Sequence, residues 1–128
     1  MKYLSFVRSA EALRDTQPPA ALMEAMGKLI ERFSASGALV DTGGLAPSRA
    51  GFRMRLAGGK LTTTDGPFTE TKEVIGGWAI LQANSHEELV RLVTEFMDVH
   101  RRHWPEFEGE CEVRPIEFLA SDAPGGHP

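Results

Sequence analysis

Apolar residues recur at helical spacing in two separate segments, 22–33 and 89–100, and this pattern constrains the fold most. Residues three and four positions apart lie on one side of a helix, so each segment predicts an amphipathic helix with one buried face. Gly37 is suited to end the first helix in a left-handed cap. Ser85 and Glu88 have the capping-box spacing at the start of the second. The chain must therefore provide an apolar surface on which two helices can pack.

Strand patterns flank both helices. The four segments that predict these strands are 2–8, about 38–45, 78–83 and roughly 110–118. In segment 52–64, large apolar residues alternate with arginines before a Gly-Gly pair, which predicts a hairpin of two half-buried strands. The apolar phase of the last strand shifts along its length, which predicts a bulge or kink near Arg114-Pro115.

The resulting order is β-α-β, a β-hairpin, and then β-α-β. Two split β-α-β units joined in this way are typical of an α+β, ferredoxin-like sandwich, in which both helices pack on one face of an antiparallel sheet. The other face of such a sheet needs cover. Because pairing two sheets across a twofold axis provides that cover, we expect a homodimer.

Length and charge narrow the function classes. We assign residues 1–119 to one domain and expect the Gly- and Pro-rich tail 120–128 to be disordered. A net charge of −4 without a concentrated basic segment argues against nucleic acid as a partner. A single cysteine, Cys111, excludes an intramolecular disulfide. Residues 1–8 have a strand pattern rather than a signal-peptide core, and no apolar run has membrane-spanning length, so we expect a soluble cytoplasmic protein without membrane contact.

The run Asp65-Gly66-Pro67-Phe68-Thr69-Glu70-Thr71-Lys72-Glu73 combines a tight turn with several ionisable side chains. Aspartate is favoured at the start of turns, and proline fixes its own φ and restricts the residue before it. One interpretation is structural, a rigid turn with solvated charges. The other is that the turn directs its charged side chains into a cleft, since binding groups concentrate on loops held by a rigid scaffold. The residues leave both interpretations open.

This run, followed by Gly76-Gly77-Trp78, resembles the signature of the DGPF group of YCII-related proteins, and the likeness covers roughly residues 1–118. The resemblance implies a small bacterial protein with a ferredoxin-like, dimeric α/β-barrel type of fold. Better understood relatives pair a first-helix histidine with an aspartate in a catalytic cleft, and one type is associated with dehydrochlorination of an aromatic substrate. In this chain the first histidine is His86, which lies beyond the first helix.

If the protein is an enzyme, we expect Asp65 and His100 to carry the catalysis. His100 lies on the apolar stripe of the second helix and titrates near neutral pH, so it could exchange a proton with Asp65. It could equally be a core histidine whose nitrogens are satisfied. Arg53 or Arg114 would hold an anionic group of the substrate, unless Arg53 lies on a solvated strand face and Arg114 pairs with a carboxylate of the turn. The other substrate-binding residues expected from the motif are Glu70, Lys72 and Trp78.

The expected ligand is a small anionic or aromatic metabolite. His100 and His103 have a spacing that could share a metal, but two histidines without a further ligand do not make a zinc site, so no metal and no cofactor is predicted. Two functions remain open: a small-molecule site with acid–base lyase or isomerase activity, or a non-catalytic ligand-binding or regulatory partner module. The second draws on the frequent occurrence of family members beside extracytoplasmic-function sigma factors.

Overall fold

The computed structural model describes residues 1–14, 16–68 and 72–122. Glu70 and residues 123–128 of the predicted tail lie outside these ranges. The strands are β1 (Lys2–Ser9), β2 (Leu39–Gly44), β3 (Phe52–Ala57), β4 (Lys60–Asp65), β5 (Val74–Gln82) and β6 (Gly109–Pro115). The α-helices are α1 (Glu11–Arg14), α2 (Ala20–Ser36) and α3 (His86–His103), and short 3-10 helices lie at Ser48–Ala50 and Ala120–Asp122.

Four strands form an antiparallel sheet in the order β2-β5-β1-β6. Strand β1 is central: Ser5 pairs with Ala79 of β5 on one side and with Val113 of β6 on the other. The strands before and after each long helix are therefore separated by one strand, as in two split β-α-β units. The predicted ferredoxin-like α+β fold is confirmed.

Helices α2 and α3 pack on the same face of this sheet. Leu29 and Phe33 of α2 form one core cluster, against which Leu92 of α3 packs. Leu89 of α3 joins Leu81 of β5 in a second cluster, and Leu92 contacts that cluster too. Because Leu92 belongs to both groups of contacts, the two helices and the sheet share one continuous apolar interior.

One end of each long helix has the cap that the sequence predicts. Gly37 has a φ of 82° directly after α2, the left-handed conformation that glycine adopts without strain. At the start of α3, the Oγ atom of Ser85 accepts a hydrogen bond from the backbone N–H of Glu88 at 3.1 Å. The Glu88 carboxylate in turn accepts from the N–H of Asn84, one residue earlier than in the usual reciprocal capping box.

The opposite face of the sheet is partly open. Leu4 pairs with Ile80, and Phe6 pairs with Trp78, which places these four side chains on the face away from the helices. Leu4 is 36% exposed, and the other three are half-buried. We call Leu4, Phe6, Trp78 and Ile80 the open-face patch.

Strands β3 and β4 form a separate two-stranded sheet. Every residue from Phe52 to Asp65 is exposed, and the exposed fraction of Leu56 reaches 70%. The prediction of half-buried strands is therefore wrong for the single chain. Alternation identifies the two faces of a strand, but it does not show whether either face meets the core. The large apolar side chains of this hairpin are Phe52, Met54, Leu56 and Leu61.

Of the bulge or kink predicted near Arg114-Pro115, the bulge is wrong. Strand β6 pairs with β1 without a shift of register and ends at Pro115. The change of apolar phase marks the end of the strand, because proline lacks the N–H that would continue the ladder. Beyond it, the N–H of Ile116 donates to the carbonyl oxygen of Lys2 at 2.9 Å, which keeps the departing chain beside β1.

Candidate ligand cavity

A cavity of about 470 Å³ lies between the sheet and helices α2 and α3. Its sheet side carries small residues, among them Ser5 and Ser9 of β1 and Gly77 and Ala79 of β5. Because these side chains are too short to fill the space under the two helices, a hollow remains beside the packed clusters, and Leu29, Phe33 and Leu81 of those clusters line it. The volume falls within the range of roughly 300–1,000 Å³ that is typical of small-molecule sites.

The described lining of the cavity carries no Asp, Glu, Lys or Arg. Some of its polar side chains donate hydrogen bonds to backbone carbonyl groups. The Oγ atom of Ser5 donates to the carbonyl oxygen of Ala79 at 3.1 Å, and the Oγ1 atom of Thr42 donates to that of Trp78 at 2.8 Å. Each hydroxyl has used its one hydrogen and keeps acceptor capacity. The polar side chains along the lining are those of Ser5, Ser9, Thr42, His100 and Cys111.

His100 is held in one tautomer by its own helix. Its Nδ1 atom lies 3.1 Å from the carbonyl oxygen of Phe96, one turn earlier. A carbonyl can only accept, so Nδ1 carries the hydrogen, and in the neutral ring Nε2 is left as an acceptor. This geometry satisfies one nitrogen, as a core histidine requires, and leaves the other available for chemistry or binding.

Burial favours the neutral form of both titratable side chains in the lining. Desolvation lowers the pKa of His100, and the hydrogen bond to the Phe96 carbonyl opposes this shift only in part. Desolvation also raises the pKa of the Cys111 thiol. In each case the charged form loses its hydration when it enters an apolar site. At neutral pH the described lining therefore presents dipoles and no formal charge.

Aromatic rings surround His100. Its ring centroid lies 4.7 Å from that of Phe96 and 4.9 Å from that of Phe107, both in tilted arrangements. Phe107 also contacts Trp104, whose ring centroid is 5.4 Å away. Gly109 permits this packing, since a Cβ atom there would lie 2.6 Å from Cζ of Phe107. These four ring side chains all border the cavity.

The turn that begins at Asp65 is a structural junction. The hydroxyl and N–H of Ser48 both donate to the carboxylate of Glu11, and the Ser48 Oγ atom also accepts from the N–H of Phe68 at 3.0 Å. The guanidinium of Arg53 lies 3.8 Å from the Phe68 ring centroid, a cation–π contact. Gly66 passes so close to Ser48 that any Cβ atom would overlap the Ser48 carbonyl. These contacts fit the structural interpretation of the turn.

Trp78, a member of the open-face patch, packs against strand β2. It pairs with Gly43 of β2, and a Cβ atom at Gly43 would lie 2.7 Å from the Trp78 Nε1 atom. The missing side chain of Gly43 thus makes room for the indole. Both residues also border the cavity.

Of the residues predicted for the site, only His100 and Trp78 line the cavity among those that the structure describes. Asp65 and Arg53 are exposed on the hairpin, and Arg114 is exposed on β6 opposite Leu4. Lys72 is exposed after the turn. Asp65 and His100 therefore do not share this cavity, and Glu70 lies outside the described residues.

Several cavity residues escaped the sequence interpretation. The alternate positions Ser5 and Ser9 of β1 lie on the face toward the helices and are buried, with exposed fractions of 6% and 1%. Small polar residues at inward positions of a strand are a signal of unfilled space. This signal becomes visible only after the strand's inward face is known, so the sequence alone did not reveal it.

Neither a metal-binding cluster nor a membrane-spanning helix is present in the described part of the chain. No three histidine, cysteine or carboxylate side chains come together there as a potential metal site. None of its helices combines the length and the apolar character that a membrane span requires.

Fold and cavity together define a ferredoxin-like α+β domain with a largely apolar hollow between its helices and its sheet, whose described lining carries no charged side chain. The family model of the YCII-related domain matches residues 1–100, and the chain belongs to that family. Comparison with curated proteins gave no match.

Proposed function

We propose that this protein is a small-molecule-binding domain whose ligand occupies the cavity between the sheet and helices α2 and α3. One observation carries the proposal: a hollow of about 470 Å³ with His100 in its wall. The hollow is partly open to the surface, so a ligand can enter it. An apolar cavity with a few convergent polar groups is the usual form of a ligand site.

If the domain is an enzyme, its reaction is an acid–base step of the lyase or isomerase type. His100 is the group suited to accept a proton there, through Nε2. Asp65 lies outside the described lining, so the catalytic pair expected from the sequence reduces to His100. A lowered pKa favours a base that is already unprotonated at neutral pH.

The functional unit in this proposal is a homodimer. The open-face patch supports it, because Leu4 is 36% exposed next to the half-buried Phe6, Trp78 and Ile80 on a face that the long helices leave free. A second copy would cover this patch with its own equivalent, which is the self-complementary arrangement of a twofold interface.

A thermal-shift screen of small metabolites tests the binding role. A ligand present at a hundred times its dissociation constant stabilises the folded protein by about 2.7 kcal/mol. In the variant Val7→Phe the new ring enters the cavity, which Val7 lines, and the stabilisation should be lost. Val90→Phe, on the exposed surface of α3, is the matched control and should retain it. Equal responses of both variants to every stabilising compound would contradict the proposed site.

A regulatory partner module is the second candidate, and the hairpin favours it. Phe52, Met54, Leu56 and Leu61 are each more than half exposed, and such contiguous apolar surface marks interaction sites. Substituting Leu56 and Leu61 together by serine would then abolish capture of a partner and leave the thermal-shift response to ligands unchanged. If the double variant instead loses ligand binding, the hairpin serves the small-molecule function.

A further inference from the structure

We propose that the cavity takes an uncharged, largely apolar ring compound that offers a hydrogen-bond donor, such as a phenol-type hydroxyl, to Nε2 of His100. This inference rests on the proposed binding function and adds the chemical class of the ligand. It narrows the sequence-based expectation of an anionic or aromatic metabolite by excluding the anion.

The first argument is the charge of the lining. Without an Asp, Glu, Lys or Arg side chain among the described residues of its wall, the cavity has no counter-ion for a charged ligand. Transfer of an unpaired ion into an apolar interior costs several kcal/mol at least. The arginines expected to hold an anion, Arg53 and Arg114, are exposed on other surfaces. A neutral ligand avoids this cost.

The second argument is the direction of the hydrogen bonds. The hydroxyl hydrogens of Ser5 and Thr42 and the Nδ1 hydrogen of His100 all point to backbone carbonyl oxygens. What these three side chains still offer to a guest is acceptor capacity. An anion or a carbonyl compound needs donors, whereas a hydroxyl or N–H group on the guest matches what these three side chains provide. Around His100, the wall therefore favours a ligand that donates.

The third argument is the form of the apolar wall. The rings of Phe96 and Phe107 lie within 4.9 Å of the His100 ring, centroid to centroid, in tilted arrangements. Trp104 continues this aromatic group through Phe107. Aromatic side chains interact favourably with further rings in offset or edge-to-face arrangements. A planar ring placed against this group would lie beside the His100 imidazole.

Three probes of similar shape differ in one substituent, which is a hydrogen-bond donor, an apolar group or a negative charge. They are naphthalen-1-ol, 1-methylnaphthalene and naphthalene-1-carboxylate. Calorimetry on the full chain near neutral pH should give the tightest binding for naphthalen-1-ol. The hydrogen bond predicts roughly a three- to tenfold advantage over 1-methylnaphthalene. The carboxylate should bind at least about tenfold more weakly than the alcohol.

A matched pair of variants tests the role of His100. His100→Phe keeps a ring but removes the acceptor, so the affinity for naphthalen-1-ol should fall to that for 1-methylnaphthalene, which should not change. His103→Phe alters a half-buried histidine of the same helix that does not line the cavity, and it should leave all three affinities as they are. Equal loss for the alcohol and the methyl compound would show that His100 does not act as the acceptor, and would overturn the proposal.

Cys111 reports where the probes bind, without any substitution. It is the only cysteine and it lines the cavity, so bound naphthalen-1-ol should slow its labelling by N-phenylmaleimide. Protection of Cys111 by the carboxylate at equal or lower concentration would overturn the ligand class but keep the cavity as a binding site. If no probe binds or protects Cys111, this inference fails, and the thermal-shift screen with Val7→Phe decides the proposed binding function separately.

Discussion

At Gly66 the backbone passes against the carbonyl group of Ser48, and a Cβ atom would lie 2.6 Å from the carbonyl carbon. We therefore expect Gly66→Ala to destabilise the protein by about 1–3 kcal/mol, the usual cost of forced overpacking. Urea unfolding followed by circular dichroism measures the change. Gly44→Ala is the control, because a Cβ atom there meets nothing within 4 Å. Similar stability of the two variants would show that the turn does not need its glycine.

His100 should make the stability depend on pH below its ordinary pKa of 6.5. Burial lowers the pKa of the folded state, so as the pH falls below 6.5 the unfolded chain takes up the proton first. The free energy of unfolding then decreases until the folded state is protonated as well. In His100→Phe this part of the decrease should vanish, whereas His103→Phe should keep it. Urea titrations at several pH values measure the free energy of unfolding. If it depends on pH in the same way in wild type and in His100→Phe, the burial of a neutral imidazole is contradicted.

Of Asp65 and His100, only His100 lies in the cavity lining that the structure describes, and the catalytic role expected of both residues stays a prediction. His100 could be placed because helical periodicity assigns it to the inward face of α3. Asp65 could not be placed in the same way, since its position follows from where the hairpin and its turn lie in space. Within the run that carries the family signature, the N–H of Phe68 donates to the Ser48 Oγ atom, and Ser48 in turn donates to the Glu11 carboxylate.

Among the elements, α3 shows that a local sequence signal, the capping residue Ser85, can predict where a helix begins. The Oγ atom of Ser85 satisfies the N–H of Glu88, so Ser85→Ala should cost about 1 kcal/mol. Ser34→Ala, at an exposed position within α2, should stay within about 0.5 kcal/mol of wild type. Thermal unfolding of both variants checks this. If Ser85→Ala proves as stable as Ser34→Ala, the cap contributes nothing to the fold.

The hairpin shows what such local signals predict and what they cannot predict. Its alternation and its glycine pair predicted two strands, and β3 and β4 are present with Gly58 and Gly59 at positive φ. Its separation from the main sheet could not be predicted, because that depends on which strands pair over long distances. A two-stranded sheet with one apolar face is only marginally stable by itself. A partner that covers the apolar face of the hairpin would therefore stabilise it.

For the whole molecule, the open-face patch determines the assembly that we propose. Ile80→Glu introduces a charge into this patch and should convert the dimer to monomers, because its cross-strand neighbours Leu4 and Asp41 offer no counter-ion for a buried carboxylate. Sedimentation at micromolar concentration measures the state. Val90→Glu, on the outer surface of α3 with an exposed fraction of 48%, should remain dimeric. A wild-type chain that sediments as a monomer would contradict the proposed assembly directly.

The order of strands and helices was enough to predict the layer architecture, because few topologies connect two β-α-β units and a hairpin. The cavity could not be predicted from the order of strands and helices. It arises where short side chains such as Ser5, Ser9 and Ala79 face two helices, so it depends on three elements at once. Patterns within one element indicate which face is inward, but not how completely that face fills the space opposite.

The most direct test of the ligand cavity is a crystal structure of the protein grown with naphthalen-1-ol. The account predicts density for the ring between the sheet and helices α2 and α3, with the hydroxyl within hydrogen-bond distance of Nε2 of His100. Density for the probe on the hairpin or on the open-face patch, with the cavity closed by side chains, would contradict it.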